Sequence, residues 1–391
     1  MKIIFCKWTS ICEDGFDRGL VALGYDVRRI TRLLDSVDYD MEYANLLSNT
    51  LNEFKADCVM SINFIPIIAR VCKIHKVPYI CQIVDSPCFQ LYSETVAYET
   101  NHIFIFDRDL YNKFKHKNPT GIYKNSLASD IEFWDKSEPT EAERAFYSCD
   151  ISFIGSLYNE KSMYNKAINN FSDYVKGYVD AIADAQCNLI GMNIVRDSMT
   201  PEFVKLFKEE ARWVPLNDDY EVDDAGIVAN TYIGYKCTER NRIQVLNALA
   251  KHYRVDLYTQ SPTDELKGVN VRGAADSSKM MPQIMKSSKI NLNLTNIPIS
   301  SGLPLRCFDI MGSGGFMMSN YQTELPEIFE PDVDFVMFGS IPELIEKTAY
   351  YLEHDKEREA IAKHGYEKVK EFHNYPIKIK QMIENVFGKQ I

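Results

Sequence analysis

Short apolar runs alternate with amphipathic stretches along most of the chain. In its first part MKIIFC (1–6), YDVRRI (25–30), DCVMSIN (57–63), PYICQIV (78–84), HIFIF (102–106) and GIYKN (121–125) read as strands. Between them, residues 15–23, 43–54 and 67–75 repeat apolar side chains at helical spacing. Near-continuous apolar strands separated by such helices are buried on both faces, which predicts a parallel sheet covered by helices on either side.

A polar, charged stretch from Ser129 to Arg144 interrupts the pattern, and DISFIGS (150–156) restarts it. From 157 to about 228 the signals are mostly helical, with an acidic run from Asn217 to Asp224 near the end. Strand-like alternation returns with NTYIGYK (230–236), followed by a helix over 239–252, YRVDLYT (253–259), VNVRG (269–273) and a helix over 280–286. The tail, 341–372, is amphipathic, and a last helix spans 377–387. The expected fold is therefore α/β, with two doubly wound domains facing a cleft. The first covers 1–145; the second covers 146–375 with a helical insertion at about 158–228; residues 376–391 pack back on the first. Open parallel sheets bind ligands at the carboxyl ends of their strands, so a cleft between two such sheets suits a two-substrate reaction.

At 391 residues the chain is long enough for two cores, and its 46% hydrophobic and 25% charged residues are those of a globular protein. The net charge of -11 and the lack of a long basic run argue against a protein that binds nucleic acid by neutralising phosphates. The 10 cysteines are scattered singly, several inside apolar runs, and read as reduced core residues of a cytosolic protein. No apolar run approaches the ~20 residues a bilayer requires.

The stretch KINLNLTNIPISSGLPLRCFDIMGSGGFMMSN (289–320) carries the most chemistry. A strand, a loop of Pro, Ser and Gly, a short helix from Leu305 to Met311 and a second strand form one β-loop-α-β unit. Ser300, Ser301 and Gly302 bare backbone N–H groups before the helix, and Arg306 and Asp309 stand in its first turns. An arginine for phosphate and a carboxylate for sugar hydroxyls, one turn apart, fit a nucleotide-sugar. The same residues also fit an ordinary βαβ unit in which Arg306 and Asp309 pair with each other.

IVDSPCF, HIFIFDRD, DISFIGSLYNE, INLNLT, LPLRCFDIMGSGGFMMSN and the tail YYLEHDKEREAIAKHGYEKV with EFHNY resemble the spore-maturation CgeB-type group of glycosyltransferases. More distantly, the chain is similar to the large family-one and family-four enzymes with two Rossmann-like domains, the GT-B architecture. The resemblance implies transfer of a sugar from a UDP-, GDP- or dTDP-sugar to a hydroxyl of a glycan or protein acceptor. It places Asp309 at the nucleotide ribose, and Arg306, Ser301, Gly302 and Leu305 at the diphosphate. Arg240 and Arg242, at the start of the helix after NTYIGYK, join them, as do Gly155, Ser156 and Gly15 in loops lining the cleft. At position 301 the broader family often has a glutamate facing the donor sugar, and Ser301 cannot supply that charge. Asp85, just past PYICQIV, stands where an acceptor-facing residue is expected, although Asp85-Ser86-Pro87 also fits an Asx-type turn. Asp14 reads as a helix cap, His102 and His373 as structural, and Asp107 with Asp109 as a turn.

No cofactor and no metal are expected, since the arginines would neutralise the leaving diphosphate. Two rivals stand beside the transferase. One is a non-catalytic subunit of the same shape that binds glycan, protein or nucleotide, with the acidic helical insertion as a docking surface for a partner. The other is a two-domain epimerase, for which a catalytic His and Glu pair is not visible.

Overall fold

A computed structural model of the chain describes residues 1–213, 220–221 and 223–388, so half of the acidic run at 217–224 lies outside the described residues. The first sheet holds β1 (Lys2–Cys6), β2 (Asp26–Ile30), β3 (Cys58–Ile62), β4 (Tyr79–Ile83), β5 (Asn101–Ile105) and β6 (Ile122–Lys124). Their order is β2-β1-β3-β4-β5-β6, all parallel. The second sheet holds β7 (Cys149–Ile154), β8 (Val255–Tyr258), β9 (Asn270–Val271), β10 (Ser288–Asn293), β11 (Met317–Asn320) and β12 (Val336–Phe338). It runs β12-β11-β10-β7-β8-β9, again parallel throughout. The two sheets are doubly wound, as their apolar runs predict.

The alternation of strand residues explains the layers. Ile3, Phe5, Met60, Ile80 and Phe104 face one side of the first sheet, Ile4, Val59, Cys81 and Ile103 the other. The first side is closed by the helix Glu13–Ala22 and by the C-terminal helix Tyr375–Phe387, which crosses back from the second domain. The two helices meet at Gly15 and Gly19, where an added Cβ would lie 2.5 Å from the Tyr375 ring and 2.8 Å from Ile379. All ten cysteines are free and buried.

Two elements differ from the sequence pattern. NTYIGYK is no strand: Val228–Ile233 is a wide π turn that opens the helix Gly234–Leu249. Its apolar residues Val228, Ala229 and Ile233 are buried against the helices of the insertion, so burial on a helical turn reproduced what looked like strand alternation. The tail is broken at His354 into helices Ile341–Glu353 and Asp355–Phe372.

The insertion folds on its own aromatic and aliphatic core, built from Tyr164, Phe171, Val179, Phe203 and Phe207 among others. Its far end reaches across to the first domain. Tyr220 pairs with Ser93 as an isolated antiparallel bridge and donates its hydroxyl to Asp38 at 2.8 Å, while Lys117 and Lys113 bond Glu221 and Asp223 at 2.8 and 3.2 Å.

A second contact between the domains is fully enclosed. Asp107, at the end of β5, caps the helix Arg108–Phe114 by accepting from Leu110 N at 2.9 Å. Its Oδ2 also accepts from the backbone N–H groups of Ser300, Ser301 and Gly302 at 2.9, 3.1 and 3.1 Å. Ser301 Oγ donates to Glu324 Oε1 at 2.8 Å, and Glu324 in turn accepts from Arg108 N and pairs with Lys124 at 2.8 and 2.6 Å. A buried charge survives only when its lone pairs are filled, and removing it strands every donor it served. Asp107→Ala is therefore expected to destabilise the protein by about 3 kcal/mol, whereas Asp109→Ala, at an exposed position two residues on, stays within about 1 kcal/mol; paired denaturation curves measure both.

Candidate functional site

In a doubly wound sheet the ligand crevice opens where the strand order reverses, beyond the carboxyl ends of the strands. Here those points fall between β1 and β3 in the first sheet and between β7 and β10 in the second. The loop after β1 is drawn in by Glu13, whose carboxylate accepts from Trp8 N and Thr9 N at 2.7 and 3.0 Å. Beyond β3 and β4 lie Asn63 and Asp85.

On the second sheet the crevice is filled by Arg242. Its guanidinium donates to the carbonyls of Ser156, beyond β7, and Leu294, beyond β10, both at 2.5 Å. It also lies over the rings of Phe153 and Tyr158, at 5.1 and 4.9 Å from their centroids. Burial pushes its pKa down to about 10, which leaves it charged at neutral pH. Arg242 thus ties together the two loops that flank the crevice. Gly155 lies beneath it: a Cβ there would sit 3.7 Å from the guanidinium. Ser156 Oγ donates to Glu160 and accepts from Tyr158 N, shaping a loop in which Tyr158 adopts φ 73°.

The 300–302 loop holds an anion, but an internal one. With their N–H groups spent on Asp107, Ser301 and Gly302 form the joint between domains and do not face an open diphosphate site. Gly302 is in contact with the first domain so closely that a Cβ would meet Asp107 Cα at 2.8 Å. Leu305, Arg306 and Asp309 follow on the helix Leu305–Gly312. Arg306 Nη1 reaches Asp309 Oδ2 at 3.5 Å, a long contact.

Leu305 and Asp309 line a cavity of about 130 Å³ between the two domains, shared with Asp14, Arg18 and Asp130 from one side and Ser278 from the other. Gly15 touches the same cavity, although its lack of a side chain serves the packing of Tyr375. Asp130 is already matched by Arg18 at 2.7 Å. Asp309 is only 16% exposed and, among the described residues, accepts nothing beyond that long contact. Enclosure raises its pKa to about 6; Arg306 opposes the rise and the Asp130 charge adds to it. An enclosed carboxylate with so few donors is an acceptor in want of hydroxyl or N–H groups.

Across the cleft, Asp85 is exposed, yet the walls around it remove enough water to raise its pKa, against a hydrogen bond from Asn63 and the charge of Lys161. Ser86 Oγ donates to Pro298 O at 3.1 Å, which brings this turn against the second domain. Arg240 stands elsewhere. Its guanidinium pairs with Asp180 and Asp184 of the insertion, both at 2.6 Å, so it anchors the insertion and its charge is spent there. His373 is buried between Phe308 and Phe329 with its pKa lowered to about 3 by burial, and His102 sits beside Tyr123 on β5. Among the described residues no group of three His, Cys, Asp or Glu side chains is disposed to hold a metal ion, and no helix is long and apolar enough to cross a membrane.

The sequence pattern did not single out Asp130, which lines the cavity, Asn63 and Lys161, which act on Asp85, or Tyr158, which lies beneath Arg242. Lys161 had a visible signal, a lysine in the loop after a strand that ends in Gly-Ser. Asn63 and Asp130 had none, because their roles depend on contacts between segments distant in sequence.

Two Rossmann-like sheets whose crevices oppose each other across a cleft define the GT-B class of glycosyltransferase folds. Residues 240–384 match the family model described as glycosyl transferase-like. The whole chain superposes on a glycosyltransferase from Rickettsia africae (TM-score 0.53, 10% identity) and on HepE of Anabaena with bound UDP and glucose (0.53, 12%), covering 99% of each chain in both comparisons. Sucrose-phosphate synthase from Thermosynechococcus elongatus is equally similar in shape, at TM-score 0.54 and 10% identity over 99% of both chains. At these identities the likeness is one of fold. Among curated proteins none is significantly similar to the chain in sequence. Since each partly exposed ion pair contributes about 0.2 to 1 kcal/mol, Arg240→Ala is expected to lower the melting temperature only slightly; a thermal melt beside the wild type checks it.

Proposed function

We propose that this chain is a glycosyltransferase that moves a sugar from a nucleotide-diphosphate donor to an acceptor hydroxyl. The observation that carries the reading is Asp309: an enclosed, under-satisfied carboxylate on the wall of the cavity between two Rossmann-like domains, one helical turn from an arginine. Its chemistry suits the hydroxyl pair of a ribose, and Arg306 suits the adjoining diphosphate. The family match over 240–384 includes both residues. HepE, which shares the fold, has been crystallised with UDP and with UDP-glucose; a uridine diphosphate sugar is accordingly the first donor to try.

In this reading the second domain holds the donor and Asp85 receives the proton of the acceptor hydroxyl. As the acceptor oxygen bonds the anomeric carbon, the bond from that carbon to the diphosphate oxygen breaks, and its electron pair leaves with the nucleotide. Arg306, with Arg242 behind it and Lys161 at the loop after β7, provides positive charge beside the departing diphosphate. Transfer without a metal ion is part of the proposal. A glycan or a protein side chain serves as acceptor, and the cytoplasm is the proposed compartment. The non-catalytic reading is kept alive by one feature, the serine at 301 with its loop amides spent on Asp107. Slow hydrolysis of a donor by the isolated chain separates the two readings, because a pure binding subunit shows none.

Thermal-shift titrations with UDP-, GDP-, dTDP- and CDP-sugars are expected to single out one nucleotide, by stabilisation of the folded state. Asp309→Ala and Arg306→Ala should each weaken that nucleotide by about tenfold or more, as the loss of a charged hydrogen bond predicts; unchanged affinity in both would sink the assignment. The pH sign follows from a carboxyl raised to about 6. The ionised form is the acceptor, so affinity is full above that value and falls as pH drops through it, with a slope of up to about tenfold per pH unit. A variant Asp309→Asn loses that slope. Treatment with EDTA is expected to leave turnover unchanged.

A further inference from the structure

Asn63 occupies the left-handed region at φ 58°, immediately after β3, with only 5% of its surface exposed. A residue with a Cβ pays for that conformation unless its surroundings demand it. The demand here comes from the neighbouring strand end. Asn63 Oδ1 accepts from Val84 N at 2.8 Å and Asp85 N at 3.3 Å, and its Nδ2 donates to Asp85 Oδ2 at 2.7 Å. One short amide therefore grips both the backbone and the carboxylate of the turn beyond β4. Below it, Ser61 Oγ donates to Asn63 O at 2.8 Å, and Asn63 N donates to Gln82 O at 2.8 Å, which fixes the residue between the two strands.

We infer that Asn63 is a positioning residue for the proposed transfer, holding one oxygen of Asp85 so that the other points free toward the acceptor. The inference rests on the reading of Asp85 as proton acceptor given above. Among the described residues Asp85 Oδ1 accepts no hydrogen bond, whereas Oδ2 is committed to Asn63. Only asparagine meets all the requirements at 63. Aspartate has no N–H to give, glutamine sets its amide one carbon further out, and the single oxygen of serine cannot stand at both the Oδ1 position that meets the two N–H groups and the Nδ2 position that meets the carboxylate. The charged and titratable groups around Asp85 are few: Lys161 and Tyr158 from the loop after β7, Tyr235 from the helix behind it, and the thiols of Cys12 and Cys88. Against that neutral or cationic surround, the Asn63 amide is the direct hydrogen bond that steers the carboxylate.

The test uses the full chain with Asn63→Gly, which keeps the left-handed backbone and deletes the amide, and Asn63→Asp, which keeps the acceptor and loses the donor. Two readouts are followed across pH: the Asp85 carboxyl by carbon NMR, assigned against Asp85→Asn, and turnover as UDP released from UDP-glucose or from whichever of the four nucleotide-sugars the chain uses. The Asn63 bond favours the charged form, so its loss should raise the carboxyl midpoint by about one pH unit. The acid limb of kcat/KM is expected to move up with it, kcat to fall about tenfold or more, and the donor KM to stay within about twofold, since Asn63 bonds the turn at Asp85 and not Asp309 or Arg306. A carboxyl midpoint that does not move, or one that moves while the acid limb stays in place, overturns the inference and leaves Asn63 a structural residue. An Asp85→Asn enzyme with wild-type turnover instead removes the reading of Asp85, and the inference falls with it. No turnover of any of the four donors by the wild type sinks the transferase reading itself.

Discussion

The carboxylate of Asp107 fixes the relation between the two domains. It sits at the end of β5, fully enclosed, and closes the N–H groups of Ser300, Ser301 and Gly302 across the domain boundary. Much else in the cleft follows from it. The second domain must present a glycine at 302 because the first domain's backbone is in contact there, and a small hydroxyl at 301 because Oγ has to reach Glu324. Glu324 needs Lys124 and Arg108 N in return. The helix that starts at Leu305 is thereby held in one orientation, with Asp309 on the cavity wall. A shift of this loop by an ångström would break several charge-assisted bonds at once, which makes the joint all-or-none.

The same interaction alters the chemistry left for a ligand. A loop of consecutive N–H groups before a helix is a ready anion site, and in this chain the anion is built in. The loop after β1 behaves alike, with Glu13 accepting from Trp8 N and Thr9 N. Both backbone cradles at the cleft are thus neutralised by the protein's own carboxylates. In the proposed reading, recognition of a diphosphate falls to side chains, above all Arg306, whose one acidic partner among the described residues is the long contact to Asp309. An arginine so loosely paired keeps most of its hydrogen-bonding capacity for a ligand.

How much of this was legible in the sequence depended on the range of the interaction. The strands β1, β3, β4 and β10 announced themselves through period and composition, because a parallel strand buried on both faces must be apolar along its length. The short helix at 305–312 and its Arg-Asp pair were legible for a similar reason, since residues three apart on a helix share a face. The failures were long-range. NTYIGYK carries aromatic and β-branched residues that fit a strand, and only burial against the insertion makes it a π turn. Arg240 looked free because Asp180 and Asp184 lie some 60 residues earlier, beyond any local pattern. Asp107 looked like a turn residue and is instead the N-cap of the helix Arg108–Phe114, and nothing near it in sequence foretold that three amides from the other domain would converge on it.

The insertion then gains a physical meaning. It is bound to the second domain through Arg240 and through Asn193, which donates to Ile297 O at 3.1 Å, and to the first through Tyr220, Glu221 and Asp223. Those outer contacts combine the Tyr220–Ser93 backbone bridge, the Tyr220 ring against the first domain's core and one hydroxyl bond with ion pairs at partly exposed positions, the ion pairs being individually weak and sensitive to salt. The inner joint at Asp107 is dry and strong. The inner joint is also wider than Asp107 alone, because Phe106 and Leu127 of the first domain share one buried core with Met281, Leu303, Cys307 and Phe308 of the second. Dry apolar contact and enclosed charge therefore reinforce each other beside the 300–302 loop.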